Sequence, residues 1–502
     1  MRRARLAMVA CGLASCTVNK PLEERTEALY VNLRASDGSA LPGVTEPPLP
    51  LPLDEEVEIL VDLIARLPNG AKDDGFNGYV RISVEPGVVV SVAGDRANGR
   101  NIVLLQGEAL AQRVRLRNPR GPTRLWAEDV GYVPVSVDEN PACSDGIDND
   151  GDGLIDFPYD PGCAFANDDT ETGGTHATGV SRPISFELPR LGDVQGRGAR
   201  TPYPLEGVEV ATKPAVGVDC DATPERCPDL IVTRISSDGF YVTDISDLGG
   251  YNHMFAFTFN SPGGLRVCDR ITALSGTALE FFGFTELSFP SFSNHPWRFP
   301  TATDPGDGEC LVPEPTVIAP DDVDSDAVME RLESSLVRVE NVMVGAYFGP
   351  KPAGNGFAAD QSNCDLDGNG IIDFSTGSPE GACANACGVD PQCVEWTGFS
   401  ARGNYRVVLP NQKSLQVNTG SVPRTRFDPV AMRGKPIRVL SGTLRNFSGG
   451  ALNWTIETRC PSDLVCDEPS QVACAEGPKD PVSSTTACVF PRSQDDPNEG
   501  SN

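Results

Sequence analysis

The chain has 502 residues, a formal net charge of −29 and only three histidines. A protein that binds nucleic acid mainly through phosphate contacts usually carries a basic binding domain. Here 70 acidic residues outnumber 41 basic ones, which disfavours that class for the molecule as a whole. The scarcity of histidine disfavours a histidine-rich metal centre, and the 51 glycines and 43 prolines favour turns and loops over long helices.

The N-terminus is predicted to be a targeting signal. Three arginines precede an apolar run, residues 6–15, that is shorter than the roughly twenty residues needed to span a bilayer. Residues 13–16, Leu-Ala-Ser-Cys, resemble the lipobox of bacterial lipoproteins. The resemblance implies that residues 1–15 are a signal peptide and that a lipidated Cys16 anchors the mature chain in membrane lipid. Because residue 17 is not Asp, the outer membrane is the expected location. The alternative is an ordinary signal peptide cleaved after Ser15.

Residues 16–137 are predicted to form a β-sandwich. Short segments with alternating apolar and polar residues, separated by Gly and Pro turns, are typical of this class. The predicted strands include 56–63, 78–84, 107–116 and 123–135, and Trp126 is predicted to lie in the core. The stretch resembles bacterial immunoglobulin-like modules.

Residues 138–199 are predicted to be an acidic insert followed by a linker, because the composition shifts to Asp, Gly, Pro and Thr. Within the insert, residues 148–156 (DNDGDGLID) match the first half of an EF-hand Ca²⁺ loop. The predicted ligands are Asp148, Asp150, Asp152, the carbonyl of Leu154, and Asp156. Tyr159 stands where an EF-hand has a bidentate Glu, so the loop resembles the calcium motifs of thrombospondin type 3 repeats, in which other acids complete the shell. The acids available nearby are Asp145, Asp160, Asp168 and Asp169.

A second acidic loop lies at residues 365–373 (DLDGNGIID). Its predicted ligands are Asp365, Asp367, Asn369, the carbonyl of Ile371, and Asp373, and Thr376 again replaces the bidentate Glu. Ca²⁺ is therefore the predicted cofactor, in a structural role. For both loops the alternative is a solvated Asp/Gly turn without an ion.

Residues 200–312 and 313–460 are predicted to be two related small β-barrels. The run Leu-Ser-Gly-Thr, followed by Phe four residues later, occurs at 274–281 and again at 440–447. The first segment resembles the OB-fold module that precedes many secreted bacterial nucleases, with 240–244 (FYVTD) as its surface-lining strand. The matching residues are Asp269, Ile271, Gly276, Phe281, Gly283, Thr285, Glu286 and Leu287. The second barrel is expected to carry the second acidic loop in an insertion, 345–400, and 461–502 form a Cys-rich tail rather than a nuclease domain.

The sixteen cysteines favour disulfides and an oxidising compartment, because no CxxC pair typical of zinc sites occurs. Cys143 and Cys163 bracket the first acidic loop, and pairing them would stabilise the fold by about 3 kcal/mol. Cys220 with Cys227 and Cys268 with Cys310 are further candidate pairs.

One segment is basic against the trend of the chain. Residues 401–460 hold ten basic and two acidic side chains. Single-stranded nucleic acid or an anionic polysaccharide would suit such a surface if aromatic residues lie beside it. The candidate binding residues are Arg406, Arg433, Lys435, Arg438, Arg445 and Trp454. The alternative is that these arginines only protect a sheet edge.

The sequence contains no G-x-S-x-G, H-E-x-x-H or P-loop motif. We therefore expect a lipid-anchored, non-enzymatic protein of the bacterial cell envelope, stabilised by Ca²⁺ and disulfides, that binds or presents a ligand or a partner protein. An OB-fold protein that binds nucleic acid or another polyanion, as an accessory to an extracellular nuclease, is the second hypothesis. An unrecognised hydrolase is the third.

Overall fold

The structure is a computed structural model of the chain. The residues that it describes are 26–93, 100–133, 140–163, 165–171, 177–247, 249–298, 303–344, 373, 375–382, 404–422, 427, 429, 432, 435–448, 451–460 and 463–466. They are mainly β-strand and divide into two compact units, Met1–Glu187 and Leu188–Asn502. In this part of the chain no helix is both long and apolar enough to cross a membrane.

The first unit is the predicted sandwich. Its strands are β1 (Ala28–Ala35), β2 (Glu56–Arg66), β3 (Gly78–Glu85), β4 (Val88–Val92), β5 (Asn101–Leu104), β6 (Glu108–Arg117), β7 (Pro122–Asp129), β8 (Thr178–Val180) and β9 (Ile184–Ser185). They are ordered β4-β6-β2-β1-β8-β7-β3-β5, with β9 paired to β7. Within this order the two halves are joined by the parallel pair Ala28 and Thr178. Their apolar side chains pack into one core, so the halves form the two layers of a sandwich.

The prediction that Trp126 lies in the core is wrong. Trp126 is 45% exposed, whereas its neighbours Leu125 and Ala127 are buried. Successive side chains of a strand point to opposite faces, and β7 directs Leu125 and Ala127 inward. The tryptophan between them therefore faces outward.

The acidic insert is part of the first unit. The chain before the insert forms β7. After the insert, β8 and β9 pair with β7, and both strands fall in the segment predicted as a linker. The boundary between the two compact units falls between Glu187 and Leu188, within the segment predicted as insert and linker.

The second unit begins with a closed five-stranded barrel. Its elements are α1 (Leu191–Gln195), β10 (Gly207–Glu209), β11 (Leu230–Ile235), β12 (Gly239–Asp244), β13 (His253–Phe257), β14 (Arg270–Phe281) and β15 (Phe284–His295). The barrel order is β11-β12-β13-β15-β14 and back to β11, with β13 and β15 parallel and the other pairs antiparallel. The side chain of Asp269 ties the barrel end together by accepting hydrogen bonds from the backbone N–H of Arg266, the Asn294 amide and the Trp297 N–H.

The second barrel repeats this topology. Its elements are β16 (Thr316–Val317), α2 (Asp326–Arg331), β17 (Leu336–Val344), β18 (Asn404–Val408), β19 (Ser414–Asn418), β20 (Pro436–Ser448), β21 (Ala451–Glu457) and β22 (Leu464–Val465). The barrel order is β17-β18-β19-β21-β20 and back to β17, with β19 and β21 parallel. The repeated Leu-Ser-Gly-Thr runs lie in β14 and β20, the fourth barrel strand of each copy. The fold is thus a sandwich followed by two OB-like barrels, as the sequence predicted.

Disulfides join Cys143 to Cys163, Cys220 to Cys227, and Cys268 to Cys310, the three pairs that the sequence suggested. Cys460 and Cys466 are also disulfide-bonded. Because such bonds persist in oxidising compartments, they indicate an extracytoplasmic location.

Candidate functional site

The first acidic loop folds so that its carboxylates converge. One carboxylate oxygen of each of Asp148, Asp150 and Asp152 lies within 4.8 Å of the corresponding oxygens of the other two. Asp148 accepts the backbone N–H of Gly151 at 2.7 Å and of Gly153 at 3.0 Å. Both glycines have positive φ, 81° and 92°, so the loop turns around these carboxylates.

The neighbouring carboxylates are held in the same way. Asp150 and Asp152 each use Oδ1 to accept the N–H two residues ahead, at 3.0 and 2.7 Å. The carboxylate of Asp156 accepts the N–H of Gly146 at 2.9 Å. Ca²⁺ prefers oxygen ligands of this kind, and a carboxylate oxygen has a second lone pair for an ion. The donor set therefore fits a hard cation.

A glutamate that the motif does not contain supports the loop. Glu171 is 1% exposed, and its two oxygens accept the N–H of Asn149 at 2.5 Å and of Asp156 at 2.9 Å. The disulfide Cys143–Cys163 returns the chain toward the start of the loop. The sequence interpretation missed Glu171 because it lies outside the nine-residue motif, in the part predicted to be linker.

Asp160 extends the acidic group into the interior. It is 2% exposed, and its Oδ2 has no hydrogen-bond partner. Burial raises the pKa of the Asp160 carboxyl above its ordinary value, and the charges of Asp152, Asp150 and Glu171 raise it further. Asp160 and Glu171 also lie within 4.8 Å of the sulfur of Cys163, which is part of the disulfide and so offers no thiolate. A cation would offset the repulsion among these acids.

Most of the second acidic loop, namely Asp365, Asp367, Asn369 and Ile371, lies outside the described residues. Asp373, its last predicted ligand, is described. Hydrogen bonds from the N–H and the hydroxyl of Ser375 lower the pKa of the Asp373 carboxyl. The N–H of Asp373 donates to buried Glu380 at 2.9 Å. Asp156 and Asp373 hold the same motif position. The N–H of each donates to a buried glutamate, Glu171 for Asp156 and Glu380 for Asp373.

Of the predicted polyanion-binding residues that the structure describes, Lys435 is exposed and the others are partly or fully buried. Arg433 lies outside the described residues, and Lys435 is exposed just before β20. Arg406 lies on β18 and donates to the Ser414 hydroxyl at 3.2 Å. Arg438 and Arg445 lie on β20, which flanks β17 on the side away from β18.

Trp454 and Arg445 lie between the barrels. Trp454 is 8% exposed and its indole Nε1–H donates to Asp326 at 3.3 Å, so its ring is not displayed for stacking on a strand of nucleic acid. The guanidinium of Arg445 lies 4.6 and 4.8 Å from the ring centroids of Phe255 and Phe284. It also pairs with Asp238 at 3.5 Å and Glu457 at 3.8 Å.

The contact of Arg445 with the two phenylalanine rings covers the outer face of β12 and β13. OB folds commonly use this face for binding. All six residues of β12 are buried, so the expectation that residues 240–244 line a surface is wrong. Phe240 and Val242 face the barrel core, whereas Tyr241 packs outward with Phe255 under the second barrel. In the first barrel this face is therefore occupied from within the chain.

Cys16, the predicted lipid-attachment residue, lies outside the described residues.

Comparisons with known proteins give little further guidance. No family model matches the chain, and no curated protein matches it. Among solved structures it is similar to a DUF4466 family protein from Parabacteroides merdae, at 8% sequence identity and a TM-score of 0.13. The match covers 43% of this chain and 66% of that protein, just under two thirds of its length. A similarity this weak supports no argument about fold or function.

Proposed function

We propose that the chain is an extracytoplasmic binding or scaffold protein, anchored to the cell envelope through lipid on Cys16 and stabilised by Ca²⁺ in its two acidic loops. The observation that supports the calcium part is the convergence of Asp148, Asp150 and Asp152, two of which also raise the pKa of the buried Asp160 carboxyl through their negative charges. Three acids this close repel one another unless a cation or protons compensate the charge.

Calcium is the ion that best suits this site. The side-chain donors are all carboxylate oxygens, which favours a hard cation over the softer metals that select sulfur or imidazole. Ca²⁺ also tolerates a flexible, irregular shell of six to eight oxygens, as an Asp/Gly loop provides. Its role in this proposal is to hold the insert rigid. The insert then presents a defined surface to a ligand or partner.

The test is calorimetric titration of Ca²⁺ into the chain from residue 17 onward, as purified. We expect the double variant Asp148→Asn, Asp150→Asn to lose one equivalent of bound Ca²⁺ or to bind it at least about tenfold more weakly, since two ligand charges are removed. Asp37→Asn is the matched control, because Asp37 also accepts an N–H two residues ahead, at 2.8 Å, in an exposed turn outside the insert. Absence of Ca²⁺ uptake by the unmodified chain at millimolar Ca²⁺, or equal binding by the double variant, would contradict the calcium part.

A further inference from the structure

A cleft of about 630 Å³ lies between the two barrels of the second unit. Its walls come from five separate segments: the chain after α1, the β12–β13 connection, the β14–β15 turn, α2, and the paired strands β20 and β21. The volume is in the range typical of small-molecule sites.

Aromatic rings form one part of the wall. Trp454, Tyr251 and Phe282 line the cleft, and Phe282, at the β14–β15 turn, is 59% exposed. The hydrogen bond from the Trp454 Nε1–H to Oδ1 of Asp326 fixes that carboxylate at the edge of the indole. An aromatic face beside a carboxylate attracts an organic cation through both its charge and its apolar part.

Acidic side chains form another part. Asp326 and Glu330 line the cleft from α2, one helical turn apart. Burial raises the pKa of the Glu330 carboxyl to about 7, and the negative charges of Glu280 and Asp326 contribute. The negative charge of Glu330 in turn raises the pKa of the Glu333 carboxyl.

Burial and acidic neighbours, and not a basic group, shift the pKa of Glu330. Arg197 lines the cleft but interacts with Asp193, and Arg200 interacts with Glu280. The stem of Arg331 passes beside Gly250. The cleft therefore combines two neighbouring carboxyl groups with aromatic faces.

We propose that this inter-barrel cleft binds a small organic cation, an alkylammonium or alkylguanidinium. The cationic group lies between Asp326 and Glu330, and the alkyl part lies against Trp454, Tyr251 and Phe282. A bare metal ion suits the site less, because Ca²⁺ requires six to eight oxygens and the rings supply none. None of the residues that line the cleft belongs to an acidic loop, so this proposal does not rest on Ca²⁺ binding.

Calorimetry with matched probes tests the charge requirement. Choline, propylammonium and propylguanidinium are titrated into the chain from residue 17 onward, with and without Ca²⁺. The reference compound is 3,3-dimethylbutan-1-ol, which has the shape of choline without its charge. We expect at least one of the cations to bind and choline to bind about fivefold or more tightly than the alcohol, since cation–π and carboxylate contacts both need the charge. No binding of any cation at 10 mM (about the weakest level of interest), or equal binding of choline and the alcohol, would overturn the proposal.

Two variants locate the site. Glu330→Gln removes an ionisable carboxyl at nearly constant shape, and Phe282→Ala removes an exposed ring, so neither should unfold the barrels. We expect each to weaken binding of the tightest cation by about threefold or more. Glu340→Gln is the control, because this half-exposed carboxylate pairs with Arg338 at 3.0 Å on β17 and is not part of the cleft wall. Unchanged binding in both cleft variants would place the ligand elsewhere and refute the assignment.

Discussion

Glu333 shows how one buried carboxyl links the two barrels. It follows α2 and is 1% exposed. Its Oε2 accepts the Gln195 side-chain N–H at 2.6 Å and the backbone N–H of Thr285 at 3.1 Å. Burial raises the pKa of this carboxyl well above its ordinary value, and the charges of Glu330 and Glu280 raise it further. The protonated form is therefore the one that the fold favours.

This pKa shift predicts the sign of a pH effect on stability. In the unfolded chain the Glu333 carboxyl loses its proton near 4.5, whereas in the folded chain it keeps the proton to higher pH. Its contribution to the free energy of unfolding is therefore full below about pH 4.5 and is lost as pH rises through the folded pKa. We expect Glu333→Gln to reduce this decline, measured by urea unfolding at several pH values from about 4.5 to 9. Glu340→Gln should keep the decline of the unmodified chain. An identical slope in the Glu333 variant would show that other groups cause the dependence.

At the scale of elements, β20 is a strand of the second barrel that also covers the first. Arg445 projects from it onto the rings of Phe255 and Phe284 and is close to Asp238 and Glu457. Glu457 has a second partner, Arg234 of β11, at 2.9 Å. Asn446, the next residue of β20, donates to the carbonyl of Gly283 at 2.9 Å. Arg445, one of the basic residues of this segment, thus contributes to the contact between the barrels.

Replacing Arg445 separates the contribution of its charge from that of its packing. Arg445→Ala should lower the free energy of unfolding by about 3 kcal/mol, because it uncovers two phenylalanine rings and leaves partly buried carboxylates with fewer partners. Arg445→Met should lower it less, because the methionine side chain still covers the rings. Both values come from urea unfolding, with Lys435→Ala, an exposed site, as a control expected to change stability by less than about 0.5 kcal/mol. A loss as small for Arg445→Ala as for Lys435→Ala would show that the inter-barrel contact contributes little.

At the scale of the whole molecule, the net charge of −29 is unevenly distributed. The acidic insert belongs to the first unit, and the basic stretch belongs to the second. Bound Ca²⁺ would reduce the negative charge of the insert. Disulfides occur in both units, which indicates that the whole chain matures outside the cytoplasm.

The proposed anchor predicts where the full-length chain is found. We expect intact-mass measurement of protein extracted from bacterial membranes to show a chain that begins at Cys16 and carries acyl groups. Cys16→Ser should remain unacylated and leave the membrane fraction, because a stable anchor needs the buried acyl chains. Cys11→Ser, the other early cysteine, is the control and should behave as the unmodified chain does. An unacylated mass for membrane-extracted chain with Cys16 intact would rule out the lipid anchor.

The strand pattern and repeats were sufficient to predict a sandwich and two barrels, because two-residue periodicity reports which face of each strand is buried. The prediction that Trp126 is buried was wrong because the alternation of a strand does not show which of its two sets of side chains faces the core. The loop motif located Asp148, Asp150 and Asp152, but not Glu171 or Glu380, whose positions follow from how the chain folds back. The burial of Arg445 and Trp454 depends on a contact between barrels, which no local pattern encodes.

The attachment of the acidic insert has a consequence for modularity. The insert leaves the sandwich at the end of β7 and returns at β8, and these strands are antiparallel neighbours that pair Glu128 with Thr178. Its two ends therefore lie about one strand spacing apart, roughly 5 Å, so a loop of almost any length can bridge them at a closure cost that grows only slowly. Evolution could lengthen, exchange or delete such an insert while retaining the sandwich, and a protein engineer could graft another loop at the same point.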